Sequence, residues 1–374
     1  MKLGLLFTFE ISLKKWDEAG LIDREMALYR KLADLGIQTT LFTYGDATEE
    51  EYKEIIGDSI SVVPLLPDGT TGKWLRFFSS WIAPLRCKNN IDQCNVIKIS
   101  QMWGSWAGIV CKLILRKKWV LRCGFEHHKS LLLQVAPLRD RVFSRIISWL
   151  AYRLADAVIW TNNSDHGWAV RKFGLRADDP RFHVVPNYVN TELFTPASRP
   201  GYNGRIVIVA RLSKEKNLDT LIRALEGSEY ELEIVGNGPL RQELEQLAHS
   251  LDVKVIFRGT LPHRQVHACY SNAQVFILCS SYEGMPKSLL EAMCCELAVI
   301  GTDVQGIRDI IENNVNGLLC KPNAEDIRRT LDHLFNNGDL RERLGARARK
   351  DIIEKFSLGK IAHQEYSILD SLVS

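Results

Sequence analysis

The sequence predicts two α/β domains, each a doubly wound sheet of parallel strands. Three observations predict it. From residue 200 onward, short apolar runs alternate with helical patterns, the rhythm of βαβ units. Those runs are continuously apolar, as a sheet covered on both faces requires. The first half repeats the rhythm less cleanly, and 374 residues are enough for two domains.

In chain order, "KLGLLF" opens the first half as a strand and "LIDREMALYRKLADLG" follows as a long helix, with Gly36 as its C-terminal cap. Further strands are expected at "QTTLFTYG", "SVVPLL", "NVIKIS", "KWVLRCG" and "DAVIWTN". The stretch 184–204 is rich in Pro, Asn and Gly and marks the join. Beyond it come "RIVIVA" (205–210), "ELEIVG" (231–236), "VKVIFRG" (253–259), "AQVFILC" (273–279), "LAVIGTD" (297–303) and a weaker "GLLCK" (317–321). Helical runs such as "NLDTLIRAL" and "PLRQELEQLAH" separate them. The domains are accordingly 1–195 and 196–357.

Composition narrows the class. At 46% hydrophobic and 25% charged the chain is ordinary globular protein. It has no apolar run of about 18 residues, so no spanning helix is expected. "MKLGLLFTFEISLKKW" reads as a first strand rather than a secretory signal. Nine scattered cysteines without a CxxC pair fit reduced, cytoplasmic thiols. The net charge is only +3, and no nucleic-acid partner is expected, yet residues 101–150 hold nine Lys or Arg against two acids. Within it, "SLLLQVAPLRDRVFSRIISWL" reads as an amphipathic surface helix, so residues 112–150 are a candidate contact with anionic lipid. The competing reading is a core-facing helix with solvated arginines. All nine tryptophans lie between Trp16 and Trp168, some available to stack acceptor sugars and most to fill the core.

Ligands of a doubly wound sheet bind beyond the carboxyl ends of its strands. In the second half those ends carry Arg211 and Lys216, then the Gly236-Asn237-Gly238 turn with Pro239, then "RGTLPH", then "CSSYEGMPKSLLE". A cationic pair, glycine turns and a helix start describe an anion site. Glu283 and Glu291 only accept hydrogen bonds when ionised, which suits hydroxyls. Phosphate together with hydroxyls describes a nucleotide sugar. Against this, Lys287 and Glu291 suit a surface i,i+4 pair, Glu283 a helix cap, and Arg211 and Lys216 solvated loop charges. In the first half, "LRCGFEHHKS" follows a strand and offers Glu126, His127 and His128. Cys123 with the two histidines lacks an evident fourth ligand for zinc.

The stretches "VVPNYVNTELF", "ARLSKEKNLDTLI", "VGNGPL", "FRGTL", "SSYEGMPKSLLEAM" and "GTDVQGIRDIIENNVNGLL" resemble, in order, those of the retaining glycosyltransferases of family 4, the group 1 glycosyltransferases. The resemblance covers about 184–321, and its strongest signature is Glu-x7-Glu, Glu283 to Glu291. It implies the GT-B fold: two Rossmann-like domains facing across a cleft, with a C-terminal segment 358–374 crossing back to the first. It implies that Arg211 and Lys216 hold the donor diphosphate, with Glu283 beside the transferred sugar. By the same resemblance Gly284, Met285, Lys287 and Ser288 offer turn donors and Glu291 binds the ribose. Gly236 and Asn237 fall in the donor loop, and Arg258 to Leu261 lie against the base.

A histidine after the first-half strand is implied to touch the sugar, and His127 is preferred because it falls sooner after the strand than His128. Protein cations replace a metal, so no cofactor is expected. The implied reaction moves a sugar with retention from a UDP-sugar, ahead of a GDP-sugar, to a saccharide or lipid-linked saccharide in surface polysaccharide assembly. The chain would then be cytoplasmic, at the inner membrane face. An epimerase of this architecture and a non-catalytic binding homologue are the alternatives. The chain departs from the family at Asn217, where glycine is common, at Pro286, and at "QGIRD" with Asp309 for Glu. It also has a long "TFEISLKKWDEAGLIDRE" in place of a Gly-Gly loop after the first strand.

Overall fold

In the computed structural model, which describes residues 1–67, 69–197 and 204–373, every paired strand runs parallel to its neighbours. The first sheet comprises β1 (Lys2–Leu6), β2 (Gln38–Thr43), β3 (Ile60–Pro64), β4 (Val96–Ile99), β5 (Lys118–Cys123), β6 (Ala157–Trp160) and β7 (Phe182–Val184), in the order β3-β2-β1-β4-β5-β6-β7. The second comprises β8 (Arg205–Val209), β9 (Glu231–Val235), β10 (Val255–Gly259), β11 (Val275–Leu278), β12 (Ala298–Thr302) and β13 (Leu318–Cys320), in the order β10-β9-β8-β11-β12-β13. Both are doubly wound, and the strand order reverses between β1 and β4 and between β8 and β11, where such sheets take ligands. β7 goes beyond the strands read from sequence, because three half-buried residues at a sheet edge carry almost no apolar signal. Residues 198–203 of the expected join lie outside the described residues.

Inner strands are apolar because helices cover both their faces; β4, β6, β11 and β12 are buried along their whole length. The expected long helix runs Ile22–Asp34, and Gly36 follows it at φ +86°, a conformation that strains any side chain with a Cβ. One expectation is corrected. "SLLLQVAPLRDRVFSRIISWL" is two helices, His127–Leu133 and Leu138–Leu154, because Val135 turns left-handed and Pro137 starts the second.

The chain divides into a first unit, Met1–Pro186 with the chain end from Ile361, and a second unit, Asn187–Lys360. The sequence reading put the breaks at 195/196 and 357/358. The first break falls earlier because Pro186 and Asn187 are each held by their own unit. Pro186 O accepts from Arg122 at 3.1 Å, and Asn187 Nδ2 donates to Met285 O at 2.8 Å.

The final helix, Leu358–Ser371, seats Glu365 in the first unit. Its carboxylate pairs with Lys98 of β4 and, at 2.6 Å, with Arg122 of β5, and all three side chains are buried. Lys98 also lies 5.1 Å over the Tyr29 ring. A carboxylate shared by two buried cations offsets much of their desolvation cost; alone, the cations would be stranded. Glu365→Ala is therefore expected to destabilise the first unit by about 3–5 kcal/mol. Chemical denaturation followed by tryptophan fluorescence reads that unit, since all nine indoles lie within it; an unchanged midpoint would contradict the assignment.

Candidate functional site

In the second unit the loop after β8 and the loop after β11 are laced together. Ser281 N donates to Glu215 O at 2.8 Å, and Ser213 Oγ donates to the Glu215 carboxylate at 2.6 Å. Asn217 ends the first loop at φ +52°, ψ +39°, which explains why glycine suits this position and why Asn, tolerant of the left-handed region, replaces it.

This lacing brings Lys216 to Glu283. Lys216 Nζ lies 2.5 Å from Glu283 Oε1, and Ser280 Oγ donates to the same oxygen at 2.6 Å. Glu283 is thus not the cap of the next helix, Lys287–Cys294, which starts from Pro286 without a side-chain cap. Arg211 stands exposed on the same loop, and its guanidinium makes no hydrogen bond among the described residues.

Two glycines allow the loops to approach. A Cβ on Gly236, at φ +132°, would strike Ala210 O, and one on Gly306 of "QGIRD" would strike the carbonyls of Glu283 and Gly284. Asn237 O accepts from Leu212 N at 3.1 Å, which holds the Gly-Asn-Gly turn to the β8 loop. Met285 is buried with its carbonyl on Asn187, Ser288 O lies 3.2 Å from Tyr270 OH, and Lys287 Nζ lies 4.8 Å over the Tyr188 ring.

Two assigned residues have protein partners of their own. Glu291 is buried: His263 Nε2 lies 2.9 Å from one oxygen and Tyr270 OH donates to the other at 3.1 Å. With Glu291 ionised, Nε2 carries the hydrogen, and a ribose hydroxyl would have to use the remaining lone pairs. Arg258 lies at the end of β10, within the strand expected at 253–259; the register slips there between Phe257 and Gly259, and its guanidinium pairs at 2.8 Å with buried Glu233 of β9. A buried carboxylate such as Glu233 needs a countercharge, and Arg258 supplies it. Leu261, half-buried, packs against the core. His263, Tyr270 and Ser280 were missed in the sequence. His263 lies inside the quoted "RGTLPH", but nothing local shows that it meets a glutamate 28 positions on.

In the first unit His127 lines a cavity of about 530 Å³ beside Trp16, Gln101 and Trp103. Its buried Nε2 and the buried Oε1 of Gln101 have no hydrogen-bond partner among the described residues. Burial holds the His127 pKa down at about 4, so the ring is neutral at pH 7. His128 turns away, buried against Trp168 and Phe173. Glu126 caps the helix that begins with His127, accepting from Lys129 N at 2.5 Å and Tyr152 OH at 3.0 Å, and burial raises its pKa to about 7. Among the described residues no cluster of three or more His, Cys, Asp or Glu could hold a metal. The stretch that replaces the Gly-Gly loop folds into the short helix Leu13–Glu18. The amides of Leu13 and Lys14 donate to buried Glu49 at 2.6 and 3.3 Å, so an internal carboxylate occupies donors that a glycine loop would leave open.

Two parallel-sheet units with these loops at the strand ends define a GT-B glycosyltransferase. The model of the "Glycosyltransferase Family 4" group matches residues 26–193 and that of "Glycosyl transferases group 1" matches 191–351. The chain belongs to the group 1 glycosyltransferases of family 4. A glycosyltransferase of Methanocaldococcus jannaschii is 34% identical over 170 residues, 44% of each chain. An α-1,4-N-acetyl-D-galactosaminyltransferase of Campylobacter jejuni is 32% identical over 58% of this chain and 60% of its own. Both matches span less than two thirds of the relative's length. Among solved structures, Anabaena HepE in complex with UDP matches with a TM-score of 0.79 at 17% identity, over 99% of this chain and all of that one.

Two outcomes are expected. Gly306→Ala should push the Glu283–Gly284 turn out of place and lower donor turnover at least roughly tenfold, with a far smaller change in melting temperature; equal turnover would show that the close approach is unimportant. His127 has a folded pKa below its unfolded value of 6.5. Its contribution to stability is present above pH 6.5 and is lost as pH falls toward 4. Melting curves of wild type and His127→Ala across that window should show the wild type losing more; parallel curves would place the ring in water.

Proposed function

We propose that this chain transfers a sugar, with retention of anomeric configuration, from a nucleotide diphosphate sugar to a saccharide or lipid-linked saccharide acceptor. UDP-sugars are put ahead of GDP-sugars, and no metal is invoked. The observation that carries the reading is the Lys216–Glu283–Ser280 cluster at the start of the Lys287–Cys294 helix. An ammonium has three donors, so with one on Glu283 two remain for diphosphate oxygens. Exposed Arg211 adds a forked donor, and the helix start adds its partial positive charge.

In the proposed step the bond from the anomeric carbon to the diphosphate oxygen breaks, and the acceptor oxygen bonds to the same face of that carbon. The acceptor proton passes to the departing diphosphate. Lys216, Arg211 and the helix start would stabilise the charge that grows on the leaving group, while Glu283 would hold a hydroxyl of the transferred sugar. Glu291, already bonded to His263 and Tyr270, would be a rigid acceptor for the ribose.

The acceptor side is assigned to the first-unit cavity, where the Trp16 and Trp103 indoles suit sugar faces and neutral His127 offers a polar edge. UDP bound in HepE supports the donor class, and the Campylobacter relative, named for a PP-undecaprenol saccharide, supports a lipid-linked acceptor. On this reading the enzyme works in surface polysaccharide assembly, in the cytoplasm, with residues 112–150 meeting an anionic membrane. No helix among the described residues is long and apolar enough to cross one.

The test is a thermal-shift and hydrolysis screen of UDP- and GDP-sugars. A UDP-sugar should raise the melting temperature and be slowly cleaved, with α-anomeric product when an acceptor is present. Lys216→Ala and Glu283→Gln should each lower turnover by roughly 10²–10³-fold. The reading fails if no nucleotide sugar binds or is cleaved.

A further inference from the structure

The helix Lys73–Arg86 has two apolar faces. One packs on the fold: Ser79, Ser80, Ala83 and Pro84 are buried, and half-buried Phe77 and Trp81 lie against Trp106. Ser80 Oγ accepts from Trp106 Nε1 at 2.8 Å, so this side is committed to the fold. The other points outward, with Trp74, Phe78, Ile82 and Leu85 all exposed at i, i+4, i+8 and i+11. Folding gains nothing from an exposed stripe of that size.

The helix Leu138–Leu154 carries a second such stripe. Ser144, Ile147, Ser148, Ala151 and Tyr152 face in, while Leu138, Val142, Ile146 and Trp149 lie exposed at the same spacing. The two helices are neighbours: Phe77 of one meets Phe143 of the other at 5.9 Å between ring centres, and both rest on Trp106. Nine of the sixteen exposed large apolar side chains among the described residues lie on these two helices.

The charges around it are mostly positive. The first helix carries Lys73 and Arg86, both exposed, and no acid, while Arg76 turns in to the carbonyls of Thr70 and Tyr44 and to Glu10. The second carries Arg139, Arg141, Arg145 and Arg153 against one acid, Asp140, which pairs with Arg139 at 3.3 Å. Arg153 stacks on Trp149 at 4.3 Å, an amphipathic pair suited to a lipid–water boundary. Asp140 also lines the His127 cavity, so that cavity is bounded by the same helix.

We infer that the outward faces of Lys73–Arg86 and Leu138–Leu154 form a single surface that inserts into an anionic phospholipid bilayer. The inference rests on the membrane reading above and deepens it. Insertion, not only charge attraction, holds the protein, and the first of the two helices lies outside the basic window that the sequence marked. Aromatic and aliphatic groups would enter the headgroup–acyl boundary while the flanking cations meet lipid phosphates. The Asp140 end of the second helix would then set the cavity beside the bilayer, where the saccharide of a lipid-linked acceptor is presented.

The test is flotation of the full-length protein with vesicles of equimolar phosphatidylcholine and phosphatidylglycerol, alongside vesicles of phosphatidylcholine alone. The protein should float with the anionic vesicles and remain behind with the neutral ones. Trp74→Ser/Phe78→Ser keeps every charge and should lower vesicle binding at least tenfold. Ile146→Ser/Trp149→Ser should do the same from the second helix, and unchanged melting temperatures would show both variants folded. The inference is overturned if the wild type does not float, or if both variants float like it, which would leave charge attraction alone. It is also overturned if sedimentation shows a dimer that the variants dissolve, since the face would then be covered by a second copy. UDP-sugar hydrolysis, measured without vesicles, separates the two readings: hydrolysis without flotation removes the docking surface and leaves the transferase, and flotation without hydrolysis does the reverse.

Discussion

Both sheets are wholly parallel, and their inner strands are covered on both faces. That constraint governs the rest of the chain. A strand with no wet face has no place for an unpartnered charge, so polar groups collect at the carboxyl ends, where the backbone leaves the sheet and helices begin. Lys216, Ser280 and Glu283 are there in the second unit, and Gln101, Glu126 and His127 in the first. The charges that do lie within strands show the cost of breaking the rule. Lys98 and Arg122 share Glu365, and Glu233 has Arg258. Each is tied by charge to another element because leaving it unpaired would cost more than the sheet could sustain.

The candidate site follows from that geometry. Loops leaving neighbouring parallel strands end close together, and backbone hydrogen bonds such as Ser281 N to Glu215 O fix their spacing before any ligand arrives. Gly236 and Gly306 are needed because two backbones pass where no Cβ fits, and Asn217 because the chain must turn left-handed there. The loops are therefore held together by the chain's own hydrogen bonds. The cluster also gathers both signs of charge, Lys216 and Glu283.

The first unit handles its surface differently. Besides the groups that face in, two of its helices carry a stripe of large apolar side chains facing out, among them Trp74, Phe78 and Trp149. Its core is filled by Trp106, Trp119 and Trp160. Indoles thus serve three purposes in one unit: filling the core, lining the cavity through Trp16 and Trp103, and facing outward at Trp74 and Trp149.

The sequence by itself determined what depends on neighbours along the chain. Apolar runs marked twelve of the thirteen strands, Gly36 marked a helix end, and the order of loops placed Arg211, Lys216 and Glu283 on one sheet edge. These were legible because strand burial, helix capping and loop chemistry are written over a few consecutive residues. Only the tertiary structure decided which partner each group meets. His127 and His128 are adjacent and alike in sequence, yet helix rotation sends one to a cavity and the other into the core. Glu365 meets residues 243 and 267 positions away, and Glu291 is taken by His263 and Tyr270. The stripe on Lys73–Arg86 has the helical spacing of a core face, and only packing showed that it points to solvent. Periodicity says that a helix has two faces; which of them is covered depends on contacts between residues far apart in the chain.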